Sequence, residues 1–158
     1  MSIDPWVWSD GRSEAGVHAA APTVGIEIAA DTLPPLRVLI ADDYPDAAES
    51  LALLLTGSGI DTRVAVDGEA AFALAEQWRP EICVLDLDMP KIDGYEVARR
   101  IRTLRGEYRP LLIAFSGWTS AEHKHNAMQA GFDHYVLKPV EPPKLMRIIR
   151  SFQRARYR

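Results

Sequence analysis

At 158 residues, 47% hydrophobic and 25% charged, the chain has the make-up of an ordinary globular protein and the length for one domain with a continuous core. No apolar run approaches the roughly 18 residues of a membrane span, and the N-terminus lacks the basic start and apolar stretch of a secretory signal, so a cytoplasmic protein without membrane contact is expected. Its one cysteine, Cys83, lies between Ile82 and Val84, which excludes a disulfide framework and marks a buried thiol. The net charge of −4 is uneven: residues 1–35 carry five acids against Arg12 alone, whereas no acid follows Glu141.

Residues 1–35 show neither helical nor strand period and close on Pro34 and Pro35, the pattern of a disordered or loosely docked arm in which Trp6 and Trp8 are the only large aromatics. Short apolar runs then alternate with helical periods. "LRVLIA" (36–41) reads as a strand, and Pro45 opens a helix with Ala48, Leu51, Leu54 and Leu55 on one face. "DTRVAV" (61–66) is a second strand, Asp67 and Gly68 turn the chain, and a helix follows that Pro80 ends. "ICVLDL" (82–87) is a continuous apolar run that reaches charge only at its end. A third helix is expected over Tyr95–Leu104, a fourth strand over "LLIAFS" (111–116), and a fourth helix over Ala121–Ala130. In that helix His123 and His125, two apart, point to different faces and are expected in solvent. "HYVLK" (134–138) makes a fifth strand, Pro143–Arg154 a last amphipathic helix, and residues 156–158 a basic tail. Five apolar strands alternating with five helices predict an α/β fold, a doubly wound parallel sheet covered on both faces.

In such open sheets reactive groups gather beyond the carboxyl ends of the strands. Asp42 and Asp43 follow the first strand, Asp86 ends the third, Ser116 the fourth and Lys138 the fifth. With the first and third strands adjacent, about 4.8 Å apart, their carboxylates meet, and their mutual repulsion calls for a cation. Oxygen ligands without His or Cys suit a hard ion, Mg²⁺ first and Mn²⁺ as an alternative. Lys138 and Ser116 suit a phosphoryl group held against the metal, and a carboxylate there can itself take phosphorus as an acyl phosphate.

The stretches "ADD" (41–43), "DLDMPKIDG" (86–94), "FSG" (115–117) and "YVLKP" (135–139), in this order and at these spacings, resemble the receiver domain of two-component response regulators over residues 36–155. The resemblance implies a flavodoxin-like fold with strand order 2-1-3-4-5. It also implies a phosphorelay receiver with self-catalysed phosphorylation and dephosphorylation only, not an enzyme with an external substrate. Asp86 is then the phosphoacceptor, with Asp42 and Asp43 as the acidic pair for Mg²⁺ and the Asp88 backbone carbonyl completing the protein's share. Ser116 is the switch hydroxyl, Tyr135 the aromatic that follows it, Lys138 the phosphoryl counter-charge, and the bond to Pro139 is cis. A histidine kinase or histidine phosphotransfer protein is the implied donor. Output would run through the helix 4, strand 5, helix 5 surface to an unknown protein partner, the chain being a monomer or a weak phosphorylation-dependent dimer. No effector domain and no nucleic-acid contact are expected. Asp88 and Trp118 occupy positions that flank the path of hydrolytic water in this family, so both are expected to tune phosphoryl lifetime.

Asp93 is assigned to the turn with Gly94. The basic last helix is read first as an ordinary amphipathic helix and second as a surface for an acidic partner. Two other functions compete. "DLD" matches the core of haloacid-dehalogenase-type aspartyl-phosphate hydrolases, although Pro90 stands where that group has threonine or valine. A receiver acting as a phosphate-independent interaction module is the other.

Overall fold

The computed structural model describes residues 34–157; the expectations for the arm, with Trp6 and Trp8, and for Arg158 lie outside the described residues. Among these, β1 (Arg37–Ala41), α1 (Pro45–Gly57), β2 (Asp61–Ala65), α2 (Gly68–Trp78) and β3 (Ile82–Asp86) are followed by α3 (Gly94–Arg102), β4 (Leu111–Ser116), α4 (Ala121–Ala130), β5 (His134–Leu137) and α5 (Pro142–Arg156). All neighbouring strands pair in parallel, in the order β2-β1-β3-β4-β5. The expected flavodoxin-like arrangement is therefore what the chain adopts.

The three central strands are apolar on both faces because each face is covered. Leu39, Ala41, Cys83, Leu85, Leu112 and Ala114 pack with the alanines of α2 and α4 and with Val97 and Ile101 of α3. Their alternates, Val38, Ile40, Ile82, Val84, Ile113 and Phe115, pack on α1 and α5 through Leu51, Leu55, Leu145 and Ile149. The two-residue period of a strand thus divides one hydrophobic run between two cores. Burial of Cys83 pushes its thiol up to about 12, in keeping with a packing role.

Three expectations need correction. The outer strands are not fully apolar: β2 has only Ala65 buried and β5 only Val136, since an edge strand needs less cover. Leu54 is 41% exposed; the inner face of α1 follows Ala48, Leu51 and Leu55, and Leu54 falls a step of about 100° off that line. Helix α3 begins one residue before Tyr95 and ends at Arg102, and α5 spans Pro142–Arg156, one residue earlier and two later than the apolar period indicated. Asp67 and Asp93 do more than turn the chain: each caps a helix, accepting the backbone N–H of Ala70 at 2.8 Å and of Glu96 at 2.9 Å.

Gly94 fixes how α3 meets the sheet. A Cβ there would lie 2.2 Å from the Asp86 carbonyl oxygen and 2.9 Å from the Leu87 Cα, backbone atoms that cannot swing aside. Gly94→Ala should cost on the order of 1–3 kcal/mol in urea unfolding, as overpacking does. Gly57→Ala, at a position with nothing within 4 Å, should be neutral or slightly stabilising. Equal effects of the two substitutions would contradict this packing.

Candidate functional site

The register Ala41↔Leu85 between β1 and β3 puts the residues that follow, Asp42 and Asp86, side by side at the carboxyl edge of the sheet. Asp42 stays in the ladder through its N–H to the Ala65 carbonyl at 3.1 Å and is buried. Asp43, one residue on, is exposed. One carboxylate oxygen from each of Asp42, Asp43 and Asp86 falls within 4.8 Å of the others.

Asp86 is 4% exposed and has both oxygens engaged. Its Oδ1 accepts the Asp88 N–H at 3.1 Å, and its Oδ2 meets Lys138 Nζ at 3.1 Å. The same ammonium lies 3.0 Å from Asp42 Oδ2, so a single cation bridges the two buried acids. Lys138 is aimed there because β5 ends beside β4, its N–H bonded to the Ser116 carbonyl at 2.8 Å; the bond that follows, to Pro139, is cis. Ser116 itself is fully buried.

Burial pushes the Asp86 carboxyl up to about 6; the Asp88 N–H and Lys138 pull the other way, and the Asp42 charge adds to the rise. Burial also works against the charge of Lys138, but the Asp42 and Asp86 carboxylates outweigh it and hold the ammonium above its ordinary range. Three carboxyl groups face one ammonium, so the cluster is short of positive charge. All the donors are oxygens, so the set fits a hard divalent cation. Acids, hydroxyl and ammonium together could hold a cation and an anion in contact.

Two loops shape the rim. The segment after β3 is tied to α2 by Lys91, whose ammonium sits 3.0 Å from Asp67, and by the Gly68 N–H to the Pro90 carbonyl at 3.4 Å. Lys91 holds a left-handed backbone, φ 71°, to make that reach. The segment after β4 is organised by Trp118. Its N–H donates to Ser116 Oγ at 3.0 Å, its indole N–H donates to Asp88 Oδ2 at 3.0 Å, and its carbonyl accepts the Tyr135 hydroxyl at 2.7 Å. Its ring stacks on His123, with centroids 4.9 Å apart and planes 7° from parallel.

Asp42, Asp43, Asp86 and Lys138 are thus brought together; Ser116 ends the neighbouring strand, its carbonyl accepting the Lys138 N–H, and Asp88, Trp118 and Tyr135 are joined beside them by hydrogen bonds. Asp93 stands apart, as the cap of α3. The expectation of a solvent-exposed His123 is corrected: it is half-buried under Trp118, while His125 is exposed. Sequence reasoning missed His123, Lys91 and the steric role of Gly94. The five-residue step from Trp118 to His123 was the one available signal, a loop aromatic facing the first turn of a helix.

The profile described as the response regulator receiver domain matches residues 38–150. A Leptolyngbya boryana protein described only as an uncharacterized 14.6 kDa protein in the sodA1 3' region is 34% identical over 122 residues, covering 77% of this chain and 92% of its own. The DNA-binding response regulator MtrA of Mycolicibacterium smegmatis is 33% identical over 115 residues; the match takes in 73% of this chain and 49% of MtrA, so the chain spans about half of that relative. Among solved structures, a putative response regulator of Chloroflexus aurantiacus aligns with a TM-score of 0.69 at 30% identity, covering 74% of this chain and 96% of its own. A CheY-like receiver domain protein of Methanospirillum hungatei aligns with the same TM-score at 26% identity, covering 74% and 92%. With the fold, the acidic pocket and the family profile in agreement, the chain belongs to the response regulator receiver domain family of two-component signal transduction.

Proposed function

We propose that the chain is a phosphorelay receiver in which Asp86 accepts a phosphoryl group from a phosphohistidine donor. The observation that carries this is the convergence of Asp42, Asp43, Asp86 and Lys138, from three separate segments, on one cluster. Asp42, Asp43 and Asp86, with the Asp88 backbone carbonyl, would hold Mg²⁺, or Mn²⁺ in its place. Bound there, the ion supplies neutralisation of the transferring group.

The remaining chemistry is done by the chain. A carboxylate oxygen of Asp86 attacks phosphorus, the P–N bond of the donor breaks, and the imidazole leaves. Lys138 is placed to move from the two carboxylates onto a phosphoryl oxygen, and the Ser116 hydroxyl to donate to another. Tyr135 follows Ser116 through the Trp118 segment. The donor would be a histidine kinase or a histidine phosphotransfer protein, and output would pass through the α4–β5–α5 face to a protein partner. Asp88 and Trp118, bonded to each other, would tune the entry of the water that hydrolyses the acyl phosphate. Among the described residues no helix is long and apolar enough to cross a membrane, and a cytoplasmic setting is part of the proposal.

A hydrolase of the haloacid-dehalogenase type would turn over an external phosphomonoester; the receiver labels itself. Incubation with acetyl phosphate and Mg²⁺, read by intact mass, should therefore give one phosphoryl group per chain, lost in Asp86→Ala and on removal of Mg²⁺. Labelling that persists in Asp86→Ala would overturn the assignment, and steady turnover of a phosphomonoester would favour the hydrolase.

The charge excess makes a separate prediction. The folded pKa of Asp86 is raised, so its contribution to stability is full below its ordinary value of 3.8 and is lost as pH rises through about 6. Without Mg²⁺, Asp86→Asn should raise the melting temperature little near pH 4 and increasingly towards about pH 7. A gain that does not depend on pH would contradict the raised pKa.

A further inference from the structure

Trp118 is 51% exposed, yet its ring and all its polar groups are engaged. It is the one described residue that touches the proposed switch hydroxyl, the aromatic paired with it, the loop after the phosphoacceptor and a neighbouring helix together. We propose that Trp118 is the positioning residue that carries the state of the Asp86 pocket to α4, with His123 as its receiver on that helix. This rests on the reading of Asp86 as the phosphoacceptor.

Both ends of the Trp118 hold are tied to groups that a phosphoryl group disturbs. Its backbone N–H depends on Ser116 Oγ as acceptor, and that oxygen leaves its present position if the Ser116 side chain rotates to bring its hydroxyl onto a phosphoryl oxygen. Its indole N–H depends on Asp88, whose own N–H is spent on Asp86 Oδ1 and whose carboxylate shares the rim with any new anion. Loss of either acceptor frees the 117–120 segment on one side while the stack still holds it on the other.

That stack leads into the helix. His123 belongs to the first turn of α4, where Ser120 caps it, accepting the His123 N–H at 3.3 Å and bonding Nδ1 of the same ring. A displaced indole therefore moves the ring, the cap and the first turn as one piece, because the near-parallel planes leave no slack between them. A second route to α4 exists through Tyr135, over whose ring Lys124 Nζ lies at 5.9 Å. The two routes separate experimentally: truncating the indole removes the stack and leaves intact the backbone carbonyl that Tyr135 binds.

The test uses the full chain with Mg²⁺ and beryllium fluoride, followed by amide chemical shifts in wild type, Trp118→Ala, Trp118→Phe and His123→Ala. All four proteins should show shifts at Asp42, Asp43, Asp86 and Asp88. Across residues 121–130, Trp118→Ala and His123→Ala should lose most of the wild-type shift, and Trp118→Phe, which keeps a ring over His123, should restore it. Full α4 shifts in Trp118→Ala and His123→Ala, with the pocket occupied, would overturn the inference and assign the coupling to Tyr135 and Lys124. No pocket shift in wild type would overturn the reading of Asp86 and this inference with it.

Discussion

Everything at the carboxyl edge of this sheet depends on one imbalance: Asp42, Asp43 and Asp86 share a pocket with a single ammonium, Lys138. Burial of two of the acids makes the imbalance costly, and burial, with a smaller push from the Asp42 charge, is what raises the pKa of Asp86. A fold tolerates such a site when the rest of the structure is over-determined. Here the three central strands, buried on both faces, supply that margin, and they set the geometry too: the β1–β3 register alone decides that Asp42 and Asp86 meet. A cation would supply the missing positive charge, and under the proposed function a phosphoryl group would then meet that cation and the Lys138 ammonium.

Asp88 and Trp118 come from the β3–α3 and β4–α4 connections and Tyr135 from β5, and a chain of hydrogen bonds joins the three. The β3–α3 loop is pinned from below by the Asp86 carbonyl pressing on Gly94 and from the side by Lys91 on Asp67. The β4–α4 segment is less crowded: a Cβ at its glycine, Gly117, would meet nothing within 4 Å.

Most of the fold was legible because hydrophobic period and length separate strands from helices in an α/β chain, and the pocket was legible because strand ends concentrate polar groups on one edge. What the sequence hid has physical reasons. Leu54 reads as core because a leucine-rich helix offers more apolar residues than one face can bury. The boundaries of α3 and α5 slipped by one or two residues because capping by Asp93, and not the apolar period, sets where α3 begins. His123 looked like a solvent histidine because its partner, Trp118, lies outside the helix, where helical spacing carries no information. Gly94 looked like a turn glycine; only the closeness of the Asp86 backbone shows that the site has no room for a side chain there.

If the acidic pocket takes a hard divalent cation before any phosphoryl chemistry, a Mg²⁺ titration followed by amide shifts will show it. One saturable site is expected, with shifts concentrated at Asp42, Asp43, Asp86 and Asp88 and abolished in Asp43→Asn. Saturable binding that survives Asp43→Asn, or no saturable binding at all, would contradict it.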